Sequence, residues 1–163
     1  MVKKSPPRKS RAGLAPGSRA FVALWSSADR VRAFLGAVVE PHGITVQQYN
    51  VLRILRGAEP DGLPTLTIAE RMIERTPGIT RMIDRLETKG LVARERRGGD
   101  RRCVYCRITR AGLEVLRSLD RAVDAADRAA FSVLSAGELA RLTEMLERVR
   151  DAHEAGPAKP ESG

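Results

Sequence analysis

The chain has 163 residues and a formal net charge of +9, from 29 lysines and arginines against 20 aspartates and glutamates. This length holds one compact domain with room for a dimerisation region, and the charge favours a polyanionic partner, nucleic acid ahead of a membrane surface. Two cysteines cannot build a secreted disulfide framework, and neither a leader-like apolar stretch nor a run of about 20 apolar residues occurs, so a cytoplasmic protein without membrane contact is expected.

Residues 1–17 are rich in Lys, Arg, Ser and Pro and lack apolar periodicity, which predicts a disordered basic arm. Phe21, Leu24, Ala28, Val31, Leu35 and Val38 follow helical spacing and predict a helix over 18–39, ended by Pro41-His42-Gly43. Thr45 opens the next helix with Gln48 as its capping-box partner, and Ile44 and Tyr49 stand where a hydrophobic staple places them. Leu52 and Leu55 continue its buried face, and Gly57 closes it. The stretch 58–64 holds two prolines and a glycine and reads as a loop, with part of Leu63 to Leu66 as a short strand. Thr67 and Glu70 form a second capping-box pattern, for a short helix through about Glu74.

Thr76 is placed to cap a fourth helix, with Pro77 in its first turn, where no backbone N–H is needed. Ile79, Met82, Ile83 and Leu86 fall at i, i+3, i+4 and i+7, an apolar stripe. The opposite face carries Gly78, Thr80, Arg81, Asp84, Arg85 and Thr88, and Gly90 ends the helix. Two β-like runs follow, Leu91 to Arg97 and Cys103 to Thr109, joined by a Gly98-Gly99-Asp100 turn. Between Arg94 and Arg110 seven arginines face only Glu95 and Asp100. A helix with a cationic outer face, backed by an arginine-rich hairpin, is the layout of a winged helix-turn-helix.

Thr109 is placed to cap a long helix, with Ile108 and Leu113 as staple and Leu116, Leu119, Val123, Ala126 and Ala130 as its apolar face. Ser135 and Glu138 form a third capping box, with Leu134 and Leu139 as staple, and Leu142, Met145, Leu146 and Val149 extend the last helix. The expected fold is mainly α with a small β-hairpin wing. The apolar faces of the first and last helices exceed what the central unit can cover, which points to a helical dimer interface; the alternative is that they complete a monomer's core. Residues 155–163 are expected to be a disordered tail.

Arg81 and Arg85 stand one turn apart on the polar face, and arginine offers a bidentate fork to guanine O6 and N7. Thr80 lies beside them, and the backbone N–H groups of Thr76 and Gly78 at the helix start suit a phosphate. Asp84 reads as an organiser of nearby arginines. Cys103 and Cys106 form a Cys-x-x-Cys, but residues three apart on a strand point to opposite faces, so Cys106 reads as a small core residue. No nucleotide-binding loop, nucleophile elbow or dinucleotide fingerprint occurs, and His42 and His153 lack partners at any motif spacing, so no enzyme activity, cofactor or metal is expected. Three other readings stay open: a non-specific architectural DNA binder, a winged helix for protein contact, and a regulator sensing oxidants through Cys103 or Cys106.

The stretch from Thr76 through Gly112, with the LTIAERMIE segment before it, resembles the MarR family of bacterial transcriptional regulators. The family pattern of RLE-x-KGLV-x-R, a wing Asp-x-Arg and LT-x-x-G is met by Arg85-Leu86-Glu87 through Arg94, by Asp100-Arg101-Arg102, and by Ile108-Thr109-Arg110-Ala111-Gly112, with Ile for Leu. The likeness spans about 18–154 and implies a winged helix over about 45–109 with dimerisation helices over about 18–40 and 110–153. It further implies a homodimer on double-stranded DNA, two recognition helices in major grooves about 34 Å apart, and a pseudo-palindromic operator. Repression relieved by a small aromatic or anionic effector is the implied regulation. Arg102 resembles the arginine that the family inserts into a minor groove, oriented by Asp100, with Arg96, Arg97 and Arg101 on phosphates. In such a fold Trp25, His42, Tyr49 and Arg53 would approach the effector cleft.

Overall fold

The computed structural model describes residues 13–73, 78–96 and 104–154. Helix α1 spans Pro16–Val39 and starts two residues before the expected Ser18, inside the stretch expected to be an arm. Proline's fixed φ suits the first helical turn, where its missing N–H leaves no bond unmade. Only the C-terminal third of α1 reaches the core, through Leu35, Gly36, Val38 and Val39; Phe21, Leu24 and Trp25 are exposed. A short 3-10 turn over Glu40–His42 leads to α2, Val46–Arg56. The Thr45–Gln48 capping box forms as expected, with Gln48 N donating to Thr45 Oγ1 (3.2 Å) and Thr45 N to Gln48 Oε1 (3.1 Å). Val51, Leu52 and Leu55 are fully buried.

Strand β1, Leu63–Pro64, precedes α3, Thr65–Arg71. The expected Thr67–Glu70 capping box does not form: the helix starts three residues earlier, with Pro64 rather than Thr67 at the N-cap and no side-chain cap bond. Pairing of Leu63 with Cys106 and Pro64 with Tyr105 fixes where the chain turns into the helix, so Thr67 falls inside it. The helix also ends earlier than Glu74, because Met72 is extended and buried.

Helix α4, Ile79–Thr88, buries Met82, Ile83 and Leu86. The expected Thr76 cap is replaced: Gly78 is the N-cap at φ 108°, a left-handed conformation suited to glycine, so the helix starts two residues later than Pro77 would allow. Thr76 and Pro77 themselves lie outside the described residues. At the other end Gly90 N donates to Glu87 O (2.8 Å) and Leu91 N to Leu86 O (2.9 Å), a Schellman closure with Leu86 and Leu91 both buried.

Strands β2, Val92–Arg96, and β3, Val104–Ile108, pair antiparallel with Val92 opposite Ile108 and Arg94 opposite Cys106. The sheet order is β1-β3-β2. The Gly98-Gly99-Asp100 turn lies outside the described residues. Helix α5, Arg110–Ala130, is capped by Thr109, whose Oγ1 accepts from Gly112 N (3.1 Å) and donates to Gly90 O (2.7 Å). It buries Leu116, Leu119, Val123 and Ala126, packs against α1 and α2, and is joined to α2 by Arg56–Asp120 (3.0 Å).

Helix α6, Ala136–Glu154, follows the third capping box. Glu138 accepts from Ser135 N (2.9 Å) and Ser135 Oγ (2.7 Å), and these bonds, the backbone one first, hold its carboxyl below the usual carboxylate range. A depressed carboxylate stabilises above its unfolded pKa, and that contribution disappears as pH falls through the folded value. Ser135→Ala is expected to return the Glu138 titration part of the way toward an ordinary glutamate, read by NMR. An unmoved titration would remove the side-chain cap from the account.

Candidate nucleic-acid interface

Period-3.6 placement splits α4 into a buried stripe and an exposed face carrying Thr80, Arg81, Asp84, Arg85 and Thr88. Arg81 and Arg85 form no ion pair with another described residue. The competing arrangement, with Arg85 held by an acidic neighbour on its own helix, is therefore not adopted. Gly78 is exposed at the helix start. The side chain of Arg96, together with Thr76, Arg97, Asp100, Arg101 and Arg102, lies outside the described residues.

Asp84 does organise an arginine, but the partner is Arg94 in β2. The Arg94 guanidinium donates to the Asp84 carboxylate and to Thr80 O (3.3 Å), and lies 3.5 Å from Glu87 Oε2. Burial works against its charge, but the Asp84 bond, the Asp84 charge and then Glu87 outweigh it, and the guanidinium pKa is raised. The site residues drawn from the sequence omit Arg94. Strand alternation held the signal: Val92 and Arg94 stand two apart on one strand face, and buried Val92 turns that face inward toward α4.

A second unanticipated link joins the end of α4 to the α1–α2 turn. Lys89, the C-cap, donates to Gly43 O and to Gln48 Oε1 (3.4 Å). Gln48 is the one buried polar side chain among the described residues, and its Oε1 accepts from both Thr45 N and Lys89 Nζ.

Cys106 is fully buried, with its sulfur 3.6 Å from Thr65 Oγ1. Cys103 lies outside the described residues. Among the described residues no three His, Cys, Asp or Glu side chains gather as a metal site, and no helix is long and apolar enough to cross a membrane.

The four residues expected near an effector are distributed. Arg53 lies over the Tyr49 ring at 5.9 Å, and burial pushes the Tyr49 phenol up against the opposing influence of Arg53. His42 Nδ1 is 3.4 Å from Ser118 Oγ on α5. Trp25 stacks on Phe21 with centroids 5.9 Å apart and is 71% exposed. None of the four lines the cleft of about 790 Å³ between α1, the start of α2 and the end of α3. That cleft has Val31, Leu35, Val46, Met72 and Ile73 as apolar walls, with Asp29, Arg32 and Glu40 also lining it.

The model of the MarR family matches residues 44–104, from Ile44 through β2 to the first residue of β3. A MarR transcription factor from Planctomyces limnophilus is 37% identical, with 82% of this chain and 97% of that one covered and a TM-score of 0.65. A cysteine-to-serine variant of MarR from Escherichia coli, solved with operator DNA, is 25% identical, with 78% and 90% covered and a TM-score of 0.71. The homoprotocatechuate degradative operon repressor of Escherichia coli is 27% identical over 126 residues, 77% of this chain and 84% of that protein.

Proposed function

The chain belongs to the MarR family, and from that premise we propose that it is a sequence-specific DNA-binding transcriptional regulator, acting as a homodimeric repressor on a pseudo-palindromic operator. The observation that carries this reading is α4 itself, whose exposed face offers Arg81 and Arg85 beside Thr80 with no ion pair to another described residue, while its other face is locked into the core. In this reading Arg81 and Arg85 contact bases or phosphates in the major groove, with Thr80 beside them and the N–H groups of Thr76 and Gly78 on a phosphate. Arg102, oriented by Asp100, enters a minor groove, and Arg96, Arg97 and Arg101 meet phosphates. The E. coli relatives, one named a repressor and one solved on operator DNA, support the assignment. The reading contains no catalytic step.

Selection of bound sequences from a random DNA pool, at physiological salt with excess competitor, tests it. An inverted repeat with half-sites about one helical turn apart is the expected result. Binding that enriches no motif and fades steeply with salt would replace it with the architectural reading. On the enriched sequence, Arg81→Ala is expected to lose roughly 1–3 kcal/mol and to relax preference at one base position per half-site. An unchanged preference would take the base contact away from Arg81.

Effector regulation belongs to the same proposal. The α1–α2 cleft has the volume and mixed lining of a small-molecule site, and Arg32 among its lining residues suits an anionic group. Titration of the DNA complex with small aromatic acids, followed by release, tests this part.

A further inference from the structure

Asp84 follows Arg81 by three residues on α4, a spacing at which a carboxylate and a guanidinium pair on a helix surface. The pair does not form. Arg94 holds Asp84 instead, across from a different element. Its three acceptors, Thr80 O, Asp84 and Glu87, stand at i, i+4 and i+7 along one edge of α4, between the buried stripe and the exposed cationic face. The Arg94 side chain is only 25% exposed, while Asp84 is 50% exposed and thus open to other cations.

We infer that Arg94 is a positioning residue for DNA reading: by occupying the carboxylates of Asp84 and Glu87 it leaves Arg81 free to meet a base. The inference rests on the proposed DNA-reading role of α4. Two effects follow from one side chain. Arg94 removes Arg81's nearest intrahelical competitor, and it neutralises negative charge beside a surface that approaches phosphates. Arginine suits this task and lysine does not, because the planar fork reaches several acceptors while an ammonium acts as a point charge.

The experiment compares Arg94→Met, Asp84→Asn, the double variant and Arg94→Lys on the DNA sequence enriched by the unmodified protein. Arg94→Met is expected to bind roughly fivefold or more weakly, the loss of one bidentate base contact, and to relax preference at the base read by Arg81. Asp84→Asn alone is expected to stay within about twofold, since no carboxylate is left to capture Arg81. The double variant is expected to regain most of the affinity and the base preference lost in Arg94→Met, and Arg94→Lys to fall between. A double variant as weak as Arg94→Met overturns the inference, because Arg94 would then act by direct contact or as a brace. Asp84→Asn as damaging as Arg94→Met overturns it too.

A second readout needs no DNA. In the free protein, the heteronuclear NOE of the Arg81 Nε–Hε group is expected to rise in Arg94→Met, where Asp84 captures it, and to fall again in the double variant. No change overturns the inference even if the unmodified protein enriches no sequence, an outcome that would separately remove the regulator reading. If Arg94→Met does not fold, Arg94→Lys with and without Asp84→Asn is read in the same way.

Discussion

Leu146→Glu is expected to convert the proposed dimer into a monomer and to weaken operator binding about 10²–10⁴-fold, the advantage that linking two half-site readers confers. Leu139, Leu142, Met145, Leu146 and Val149 lie along one face of α6, and all but Leu142 are among the exposed large hydrophobic side chains. Among the described residues no other element packs extensively against α6. A lone amphipathic helix of this length is marginal in water, so its order requires a partner surface for that face. The exposed Phe21, Leu24 and Trp25 of α1 present a second uncovered apolar area, and two helices of this kind at the ends of one chain suit mutual burial between two copies. Light scattering at micromolar concentration reads the assembly state, and titration on full and half operators reads the affinity. Leu146 lies outside the hydrophobic core, so the variant should fold. A dimer that persists in Leu146→Glu would move the interface elsewhere, and a monomeric unmodified protein would remove it.

Gly112→Ala is expected to destabilise the fold by about 1–3 kcal/mol, the range for overpacking a tight site. The sign is opposite to the usual one, since alanine in place of a helical glycine ordinarily stabilises by about 0.5–1 kcal/mol. A Cβ at Gly112 would stand 2.7 Å from Ile108 Cγ1 and closer still to the Leu91 carbonyl oxygen. That oxygen accepts from Thr109 N (3.0 Å), and Thr109 caps α5 through Gly112 N. The added methyl therefore pushes apart the base of the wing, the end of α4 and the start of α5. Thermal melting should fall by about 2–4 °C for each kcal/mol lost in a chain of this size. An unchanged or raised melting temperature would show that the junction can yield without loss. The same contacts explain why threonine and glycine stand three apart in the LT-x-x-G pattern: one supplies the cap, the other the room.

Much of the candidate site was legible because its pattern is local. Ile79, Met82, Ile83 and Leu86 announced the buried stripe of α4, and the exposed face of Thr80, Arg81 and Arg85 followed from it. Capping boxes at Thr45 and Ser135 needed only residues three apart, and both form. The same motif at Thr67 failed because strand pairing of Pro64, a contact across 41 residues, set the helix start first. Gly78 likewise took the N-cap expected of Thr76, because its left-handed backbone cannot lie within the helix.

By itself, then, the sequence determined the type and order of the elements, the inward face of α4 and α5, and the cationic character of the exposed face of α4. Each of these is set by the periods of 3.6 and 2 and by caps, which act within a few residues. Only the tertiary structure decided that Arg94 rather than Arg81 holds Asp84, that Lys89 reaches Gly43 and Gln48, and that the cleft is lined by Val31, Leu35 and Ile73 rather than Trp25 or Tyr49. It also decided that α1 buries only its last third. Those outcomes depend on which helix and strand faces meet across tens of residues, and a side chain with several partners within reach takes the one that packing brings closest.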